Sequence, residues 1–503
     1  MVKQHTTKHT PLHAGVPEEM AGKGEEHHRV SPLDAAWLYV ESPRTPMHIG
    51  CVEIFAKPKR AGADYTLKLY QAMLASTSVA KPFSLKLGRS ALGAVLPSWV
   101  EEHSPDLEYH VRRTAVPQPG GESELATLLA RLQNLPLDTS RPLWECYLID
   151  GLENHRFAIY TKMHHSLVDG VGGMHLLQSG LSTDPHERNM PAPWACARGG
   201  GAVHKDSGAQ HHGVHLHGAL NHALETIAIQ LRSGPELLRA FLALAKAALP
   251  GNHAVLAVPY TAPLTVFNNK ISTQHQFAAL QLPLQRLHEL ARRAEVKLND
   301  VLLAICGGAL RRFLKDADAL PERSLVAGIP VSVRPHGDTT MGSAITFALS
   351  SLGTDVEHPA RRLRGIHQAT AAAKAHLQSM DRAALVDYTL LLMSPYILEL
   401  LAGLGGRGHP VFNLVISNVP GPAQPLYYNG ARLEAIYPLS ILTHGQALNI
   451  TVVSYDGQLN IGFTACKAAV PQLQRLADYT REALDELERH FPVADGALRP
   501  AAA

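Results

Sequence analysis

Met163-His164-His165-Ser166-Leu167-Val168-Asp169-Gly170 closes a run rich in aromatic and aliphatic residues, Arg156–Met163, and opens onto Gly172-Gly-Met-His-Leu-Leu177. The pattern reads as a strand, a loop and the start of a helix. In extended backbone successive side chains point to opposite faces, so His164 and His165 do not share one small volume. One ring is expected to face a cavity while the other packs or supports it. The same alternation weakens a zinc reading, because adjacent histidines are awkward ligands for one ion and no H-E-x-x-H arrangement accompanies them. Asp169 stands where a helix N-cap would, accepting a backbone N–H. The alternative is a buried carboxylate that fixes the loop through an ion pair with a distant arginine, with Gly170 demanded by the tightness of the turn.

Outward from this stretch, Trp144–Ile149 is a second strand, joined to Arg156–Met163 through Asp150-Gly-Leu-Glu-Asn-His155. Helices are expected near Asp64–Leu74 and over Ser123–Leu135, the latter with Leu125, Leu128, Leu129 and Leu132 at spacings of three and four. From about Asp184 to His217 the chain turns to Pro, Gly and His, including Gly199-Gly-Gly201 and His204, His211, His212, His215 and His217; a metal-binding tract is the sharper reading, but irregular spacing without Cys or carboxylate partners favours a solvated linker without chemistry. Beyond it, helical patterns at Leu220–Leu249, Leu284–Ala294 and Asn299–Lys315 alternate with strand-like runs at Leu325–Val333, Ala344–Leu352 and Phe412–Val419. Ala447–Ser454 and Gln458–Cys466 flank Tyr455-Asp-Gly457, a hairpin signal, and Pro471–His490 closes as a helix. The division is a mobile extension (1–30), an α/β half (31–184), a linker with connecting helices (185–268), a second α/β half (269–490) and a tail (491–503).

The 503 residues are 46% hydrophobic and 18% charged, enough for two domain-sized cores. Lys plus Arg number 46 against 44 Asp plus Glu, far from the basic excess of a nucleic-acid binder. Five scattered cysteines without a C-x-x-C pair argue against a disulfide framework or a thiolate metal site, and the cytoplasm is the simplest compartment. No apolar block in the first thirty residues resembles a signal-peptide core. Leu237–Leu249 is broken by Arg239 and Lys246, and Leu390–Leu404 by Pro395 and Glu399, so neither is expected to span a membrane.

The complete H-H-x-x-x-D-G pattern from His164 to Gly170 resembles that of the bacterial wax ester synthase/diacylglycerol acyltransferase family. Ser31-Pro-Leu-Asp-Ala with Pro46-Met-His-Ile-Gly50, Pro142-Leu-Trp144, Leu298-Asn-Asp-Val301 with Gly307-Gly-Ala-Leu-Arg311, Asn413-Leu-Val-Ile-Ser-Asn-Val-Pro-Gly-Pro422 and Gly445-Gln-Ala-Leu-Asn-Ile450 resemble further family elements. The resemblance runs from about Ser31 to Glu488. Two departures are Gly342-Ser343 where the family often has Gly-Asn, and His275-Gln276 where it often has paired arginines.

The resemblance implies a fold similar to chloramphenicol acetyltransferase, carnitine acyltransferases and condensation domains: two α/β halves with a substrate tunnel between them. It implies His165 as general base, His164 as support and Asp169 as a structural residue. The substrates it implies are acyl-CoA with a fatty alcohol or a diacylglycerol, and it calls for neither cofactor nor metal. Within the matched motifs, Asn299, Ser417 and Asn418 are the candidate donors to the oxyanion, Asn299 first, its bland reading being a helix N-cap. Arg334 is the candidate partner of Asp169. Substrates of this kind concentrate at membranes and lipid inclusions, so peripheral attachment through Leu390–Leu404 or Leu237–Leu249 is an expectation, although core burial is the commoner fate of such segments. The rival readings are an esterase or lipase, a condensation-type acyltransferase and a non-enzymatic lipid-binding protein. The first lacks a G-x-S-x-G elbow, and Ser166 adjoins His165 in sequence rather than in the spatial arrangement a triad needs. The second is disfavoured by the motifs matched outside H-H-x-x-x-D-G, and the third would need the tunnel but not the base.

Overall fold

The strands Trp144–Leu152 and Arg156–His164 are buried along almost their whole length on both faces, which is why their sequences run apolar without clean alternation. The computed structural model describes residues 28–88, 97–196, 256–332 and 345–492. Arg334, Gly342-Ser343 and the stretch Leu237–Leu249 lie outside the described residues.

One six-stranded sheet takes the order 427–428, 431–439, 48–56, 156–164, 144–152, 111–115, and a second takes the order 345–351, 326–332, 414–419, 448–455, 458–466, 275–283. A small third sheet pairs 28–29, 98–101 and 85–87. The hairpins appear where turn chemistry put them: Asp456 and Gly457 both take positive φ between antiparallel strands, as an Asp-Gly turn requires. The sequence division at 269 did not anticipate one crossing. Ala431–Leu439 pairs with His48–Ala56, so the second half of the chain completes the first half's sheet.

The halves are joined at two further places. Helix Glu122–Asn134 lays Leu125, Leu129 and Leu132 into a cluster holding Ile54, Ala158 and Tyr160 of the first sheet together with Phe277 of the second. Val419, Val453 and Tyr455, at the ends of second-sheet strands, enter the first half's core beside Leu167, Val168 and Met174. The histidine loop therefore lies where the two sheets meet.

Three expectations are corrected. The linker composition beginning at Asp184 does not make its first residues loose: Trp194 is fully buried, stacks on Trp144 at 5.4 Å and donates to the Ser76 carbonyl at 3.0 Å. At the other end of the segment, Phe267 and Asn268 are also core residues. Pro395 and Glu399 do not interrupt the apolar run 390–404 either. A continuous helix covers Arg382–Leu401, and its window Ala384–Leu401 is long and apolar enough to cross a membrane by length and composition. Ala384, Tyr388 and Leu392 bury one side of it against the second sheet's core, while 28% of the window is buried overall.

Candidate active site

Ser31 begins the helix Pro32–Val40: its hydroxyl accepts the Asp34 N–H at 3.1 Å, and Pro32 sits at the first position, where it costs no hydrogen bond. The helix delivers Trp37 and, at its C-terminal cap, Glu41. These residues are one turn apart, and each meets one ring of the histidine doublet.

His165 is half-buried against Trp37, with ring centroids 4.4 Å apart. His164 is fully buried. The doublet is pinned by backbone bonds from two neighbouring segments, His164 N–H to the Leu143 carbonyl at 3.0 Å and His165 N–H to the Met47 carbonyl at 2.8 Å. Pro142-Leu-Trp144 and Pro46-Met-His48 thus act on the doublet through carbonyls. Trp144 itself is held by stacking on His110 and by an indole bond to the Phe83 carbonyl at 2.7 Å.

The two rings are treated differently, as strand alternation required. The Ser166 N–H donates to His164 Nδ1 at 3.2 Å, and Ser166 Oγ lies 2.6 Å from the same nitrogen. A nitrogen accepting a backbone N–H carries no proton, so the ring proton belongs on Nε2, which faces Glu41 Oε2 at 3.5 Å. That separation is an electrostatic contact rather than a hydrogen bond. Glu41 Oε1 in turn accepts the Met47 N–H at 3.2 Å, and the Met47 carbonyl holds His165. Glu41 closes a ring of contacts through both histidines. Sequence reading missed both Glu41 and the role of Trp37. The Ser-Pro start fixes the helix phase, but nothing local shows which strand that face meets.

His165 Nδ1 is enclosed and accepts no bond from any neighbouring residue. Nε2 is the nitrogen left open. Burial depresses the ring's pKa to about 4, against the opposing pull of the Asp169 carboxylate and of the residue's own backbone, with His164 adding to the depression. The imidazole is therefore held in its neutral form at pH 7.

Asp169 is buried and caps the helix Gly170–Ser179, accepting the Gly172 N–H at 2.7 Å. The cap and the field at His165 come from the same carboxylate. The tight-turn reason for Gly170 is not what the structure shows. Its φ is not positive, and a Cβ there would meet only Val419 Cγ2 at an ordinary 3.6 Å. The exposed Gly170 marks instead where the histidine loop faces the strand Leu414–Val419 of the other sheet.

The three oxyanion candidates fare differently. Ser417 is half-buried and, two residues before Val419, shares its strand face. It stands opposite Thr451, whose hydroxyl bonds Asn449 Oδ1 at 2.8 Å and lies 2.7 Å from Ser440 Oγ. Asn418 is exposed on the opposite face. Asn299 is not an N-cap. Lys297 caps Leu298–Asp316, and that helix makes its main contacts with Leu284–Ala294, Pro359–Gln378 and Leu473–His490. Asp300 beside it is buried and accepts from the Lys297 N–H at 3.0 Å and Thr370 Oγ1 at 2.6 Å, with His367 Nδ1 at 2.7 Å. His275, where the family often has arginine, is buried with its backbone clamped by the Asn134 amide, N–H to Oδ1 at 3.2 Å and Nδ2 to carbonyl at 3.4 Å.

Comparison with known proteins agrees with this arrangement. Residues 30–302 match the wax ester synthase/diacylglycerol acyltransferase catalytic domain, and residues 341–488 match the WS/DGAT C-terminal domain. A putative diacylglycerol O-acyltransferase of Mycobacterium tuberculosis is 42% identical, covering 93% of this chain and 98% of that one. An O-acyltransferase of Acinetobacter baylyi is 34% identical over 91% of this chain and 96% of its own. The solved wax ester synthase/diacylglycerol acyltransferase from Marinobacter aquaeolei VT8 superposes with a TM-score of 0.72 at 36% identity, covering 92% of this chain and 99% of that one. The first condensation domain of the CDA synthetase shares the fold at a TM-score of 0.53 and 16% identity, with 94% and 99% coverage. The two sheets are thus the two chloramphenicol-acetyltransferase-like halves of that fold. The chain belongs to the wax ester synthase/diacylglycerol acyltransferase family and is an acyl-CoA-dependent O-acyltransferase.

Proposed function

We propose that the protein moves a long-chain acyl group from acyl-CoA to the hydroxyl of a fatty alcohol or a diacylglycerol, with His165 Nε2 as general base and no covalent acyl-enzyme. The observation that carries this reading is the asymmetry of the His165 ring, enclosed at Nδ1 and open at Nε2, at the seam between the two sheets.

Nε2 takes the hydroxyl proton as the oxygen attacks the thioester carbonyl. The tetrahedral intermediate then expels the CoA thiolate, to which the imidazolium returns the proton. General-base assistance of this kind is worth about 10²–10⁴ in rate. The depressed pKa keeps the His165 ring in the free-base form at neutral pH, and the Asp169 carboxylate limits the depression. A hydrogen bond to the developing oxyanion is assigned to Ser417, on the strand face that reaches Gly170. The acyl chain would lie between the halves, where each buried methylene contributes about 0.8 kcal/mol. Asp169 would complete its role by pairing with Arg334. Five unpaired thiols suit a reducing cytoplasm, the compartment that supplies acyl-CoA.

The test is thiol release from palmitoyl-CoA with hexadecanol by wild type and His165→Ala. Equal rates would remove the proposed base. Competition between hexadecanol and dioleoylglycerol then separates the acceptors: absence of triacylglycerol would narrow the reaction to wax ester formation.

A further inference from the structure

Leu414–Val419 and Leu448–Tyr455 are neighbouring central strands of the second sheet, and their side chains divide between its two faces. Ile416, Ile450 and Val452 point into the second half's own core. Val419 and Val453 point the other way, into the first half, so Ser417 with Thr451 and then Val415 with Asn449 continue that face in steps of about 6.5 Å. Paired parallel strands are ordinarily covered on both faces, yet Val415, Ser417 and Asn449 are half-buried. The first sheet opens in the same way. Ile49 and Cys51 of its central strand His48–Ala56 are half-buried on the face they share with Met47, whose carbonyl holds the His165 N–H. Ser440 follows Leu439, which stands opposite Gly50, and so falls beside Ile49; its Oγ lies 2.7 Å from Thr451 Oγ1 and joins the two uncovered faces.

These hydroxyls form a file with a direction. The Thr451 hydroxyl gives its one proton to Asn449 Oδ1 at 2.8 Å, so Ser440 is the donor in its contact with Thr451. The Asn449 amide is thereby held by its oxygen, and among the described residues nothing accepts from its Nδ2. A half-buried amide fixed with its donors open is prepared for an acceptor that arrives with the substrate. Asn449 lies one step beyond Ser417, away from Gly170 and level with Val415, which packs against the cluster of Tyr388, Leu392 and Phe412. Donation is all that the amide has left to offer, and its surroundings on this side are apolar. A group that only accepts, carried on an otherwise apolar molecule, is an ester carbonyl. A fatty alcohol has none, and a pantetheine amide would need an acceptor for its own N–H. A diacylglycerol carries ester carbonyls, the nearer only a few bonds from its reacting hydroxyl.

We propose that Asn449, oriented by Thr451 and Ser440, binds an ester carbonyl of a diacylglycerol acceptor and so sets how well the enzyme takes a glycerol diester in competition with a simple fatty alcohol. This deepens the acceptor side of the reaction proposed above and rests on it. Asn449 is the binding residue, and Thr451 is a positioning residue that acts through it.

The full-length protein is given palmitoyl-CoA with dioleoylglycerol and hexadecanol in one mixture, and the ratio of triacylglycerol to wax ester is read. Asn449→Leu, close to the same shape without the amide, should lower that ratio about tenfold. Thr451→Val should lower it about threefold, and Thr451→Ser, which keeps the hydroxyl, should restore it. A substitution that only loosens the fold lowers both products together and leaves the ratio alone. A ratio that Asn449→Leu leaves unchanged overturns the proposal, and so does a raised KM for palmitoyl-CoA with both acceptors, which would place the amide on the pantetheine arm. Wild type that makes wax ester but no triacylglycerol overturns it as well. Binding of labelled dioleoylglycerol and of labelled hexadecanol without acyl-CoA is measured alongside, and Asn449→Leu should weaken the first about tenfold relative to the second. Binding needs no turnover, so a protein inactive with both acceptors would count against the reaction while the binding result still decides the role of the amide.

Discussion

The loop His164–Gly170 and the turn Leu298–Asp300 are both short polar motifs flanked by apolar sequence, and their side chains meet opposite fates. In the turn, the Asp300 carboxylate is consumed by groups from its own helix start and from helix Pro359–Gln378, so that it locks helices together. In the loop, His164 Nδ1 and the Asp169 carboxylate take backbone N–H groups and His164 Nε2 faces the Glu41 carboxylate, while the outer edge of the His165 ring is left without a protein partner. A polar motif becomes a site when its neighbours' hydrogen bonds are closed around one group that stays open.

Breaking the open group should have the largest effect on rate. His165→Ala is expected to lose about 10²–10⁴ in kcat with little change in melting temperature, since the ring's enclosed Nδ1 contributes no hydrogen bond to the fold. Breaking the closed motif should do the reverse. Asp300→Ala removes a buried carboxylate that takes hydrogen bonds from the Lys297 N–H and from half-buried Thr370 and His367, and should cost about 2 kcal/mol in urea unfolding, with kcat per folded molecule within about threefold of wild type. A large kcat loss at unchanged stability would move Asp300 into the site. Glu41→Gln sharpens the contrast within the loop. It removes the charge facing His164 Nε2 while keeping an acceptor for the Met47 N–H, and should lower kcat about tenfold at unchanged acyl-CoA KM. Asn299→Ala should be nearly silent in kcat, within about threefold; a loss of a hundredfold would restore it as the oxyanion donor in place of Ser417.

Much of this contrast was legible in sequence, and the rest was not for identifiable reasons. Local chemistry marked the strand pair 144–152 and 156–164, the Asp456-Gly457 hairpin, the stripe of helix Glu122–Asn134 and the cap at Asp169, because each is decided within a few residues. Helix Pro359–Gln378 escaped because alanines at 360, 369 and 373 alternate with Leu363, Ile366 and Leu377 in its buried stripe, a face too small to stand out. Ala431–Leu439 was missed as a member of the first sheet because pairing across nearly four hundred residues leaves no local trace. The same limit hid Glu41. Its helix is readable from Ser31-Pro32, but its partner His164 comes from a strand more than a hundred residues on.

The central claim, that a desolvated neutral His165 is the base, is tested most directly by the acid limb of kcat/KM with soluble substrates, in wild type and Trp37→Ala. A free-base imidazole is lost as pH falls through its pKa, so wild-type activity should hold through pH 6 and fall near pH 4. Removing the Trp37 indole admits water, weakens the desolvation that lowers the pKa, and should move the limb upward toward about 6.5. A limb near 6.5 in wild type that Trp37→Ala leaves in place would contradict it.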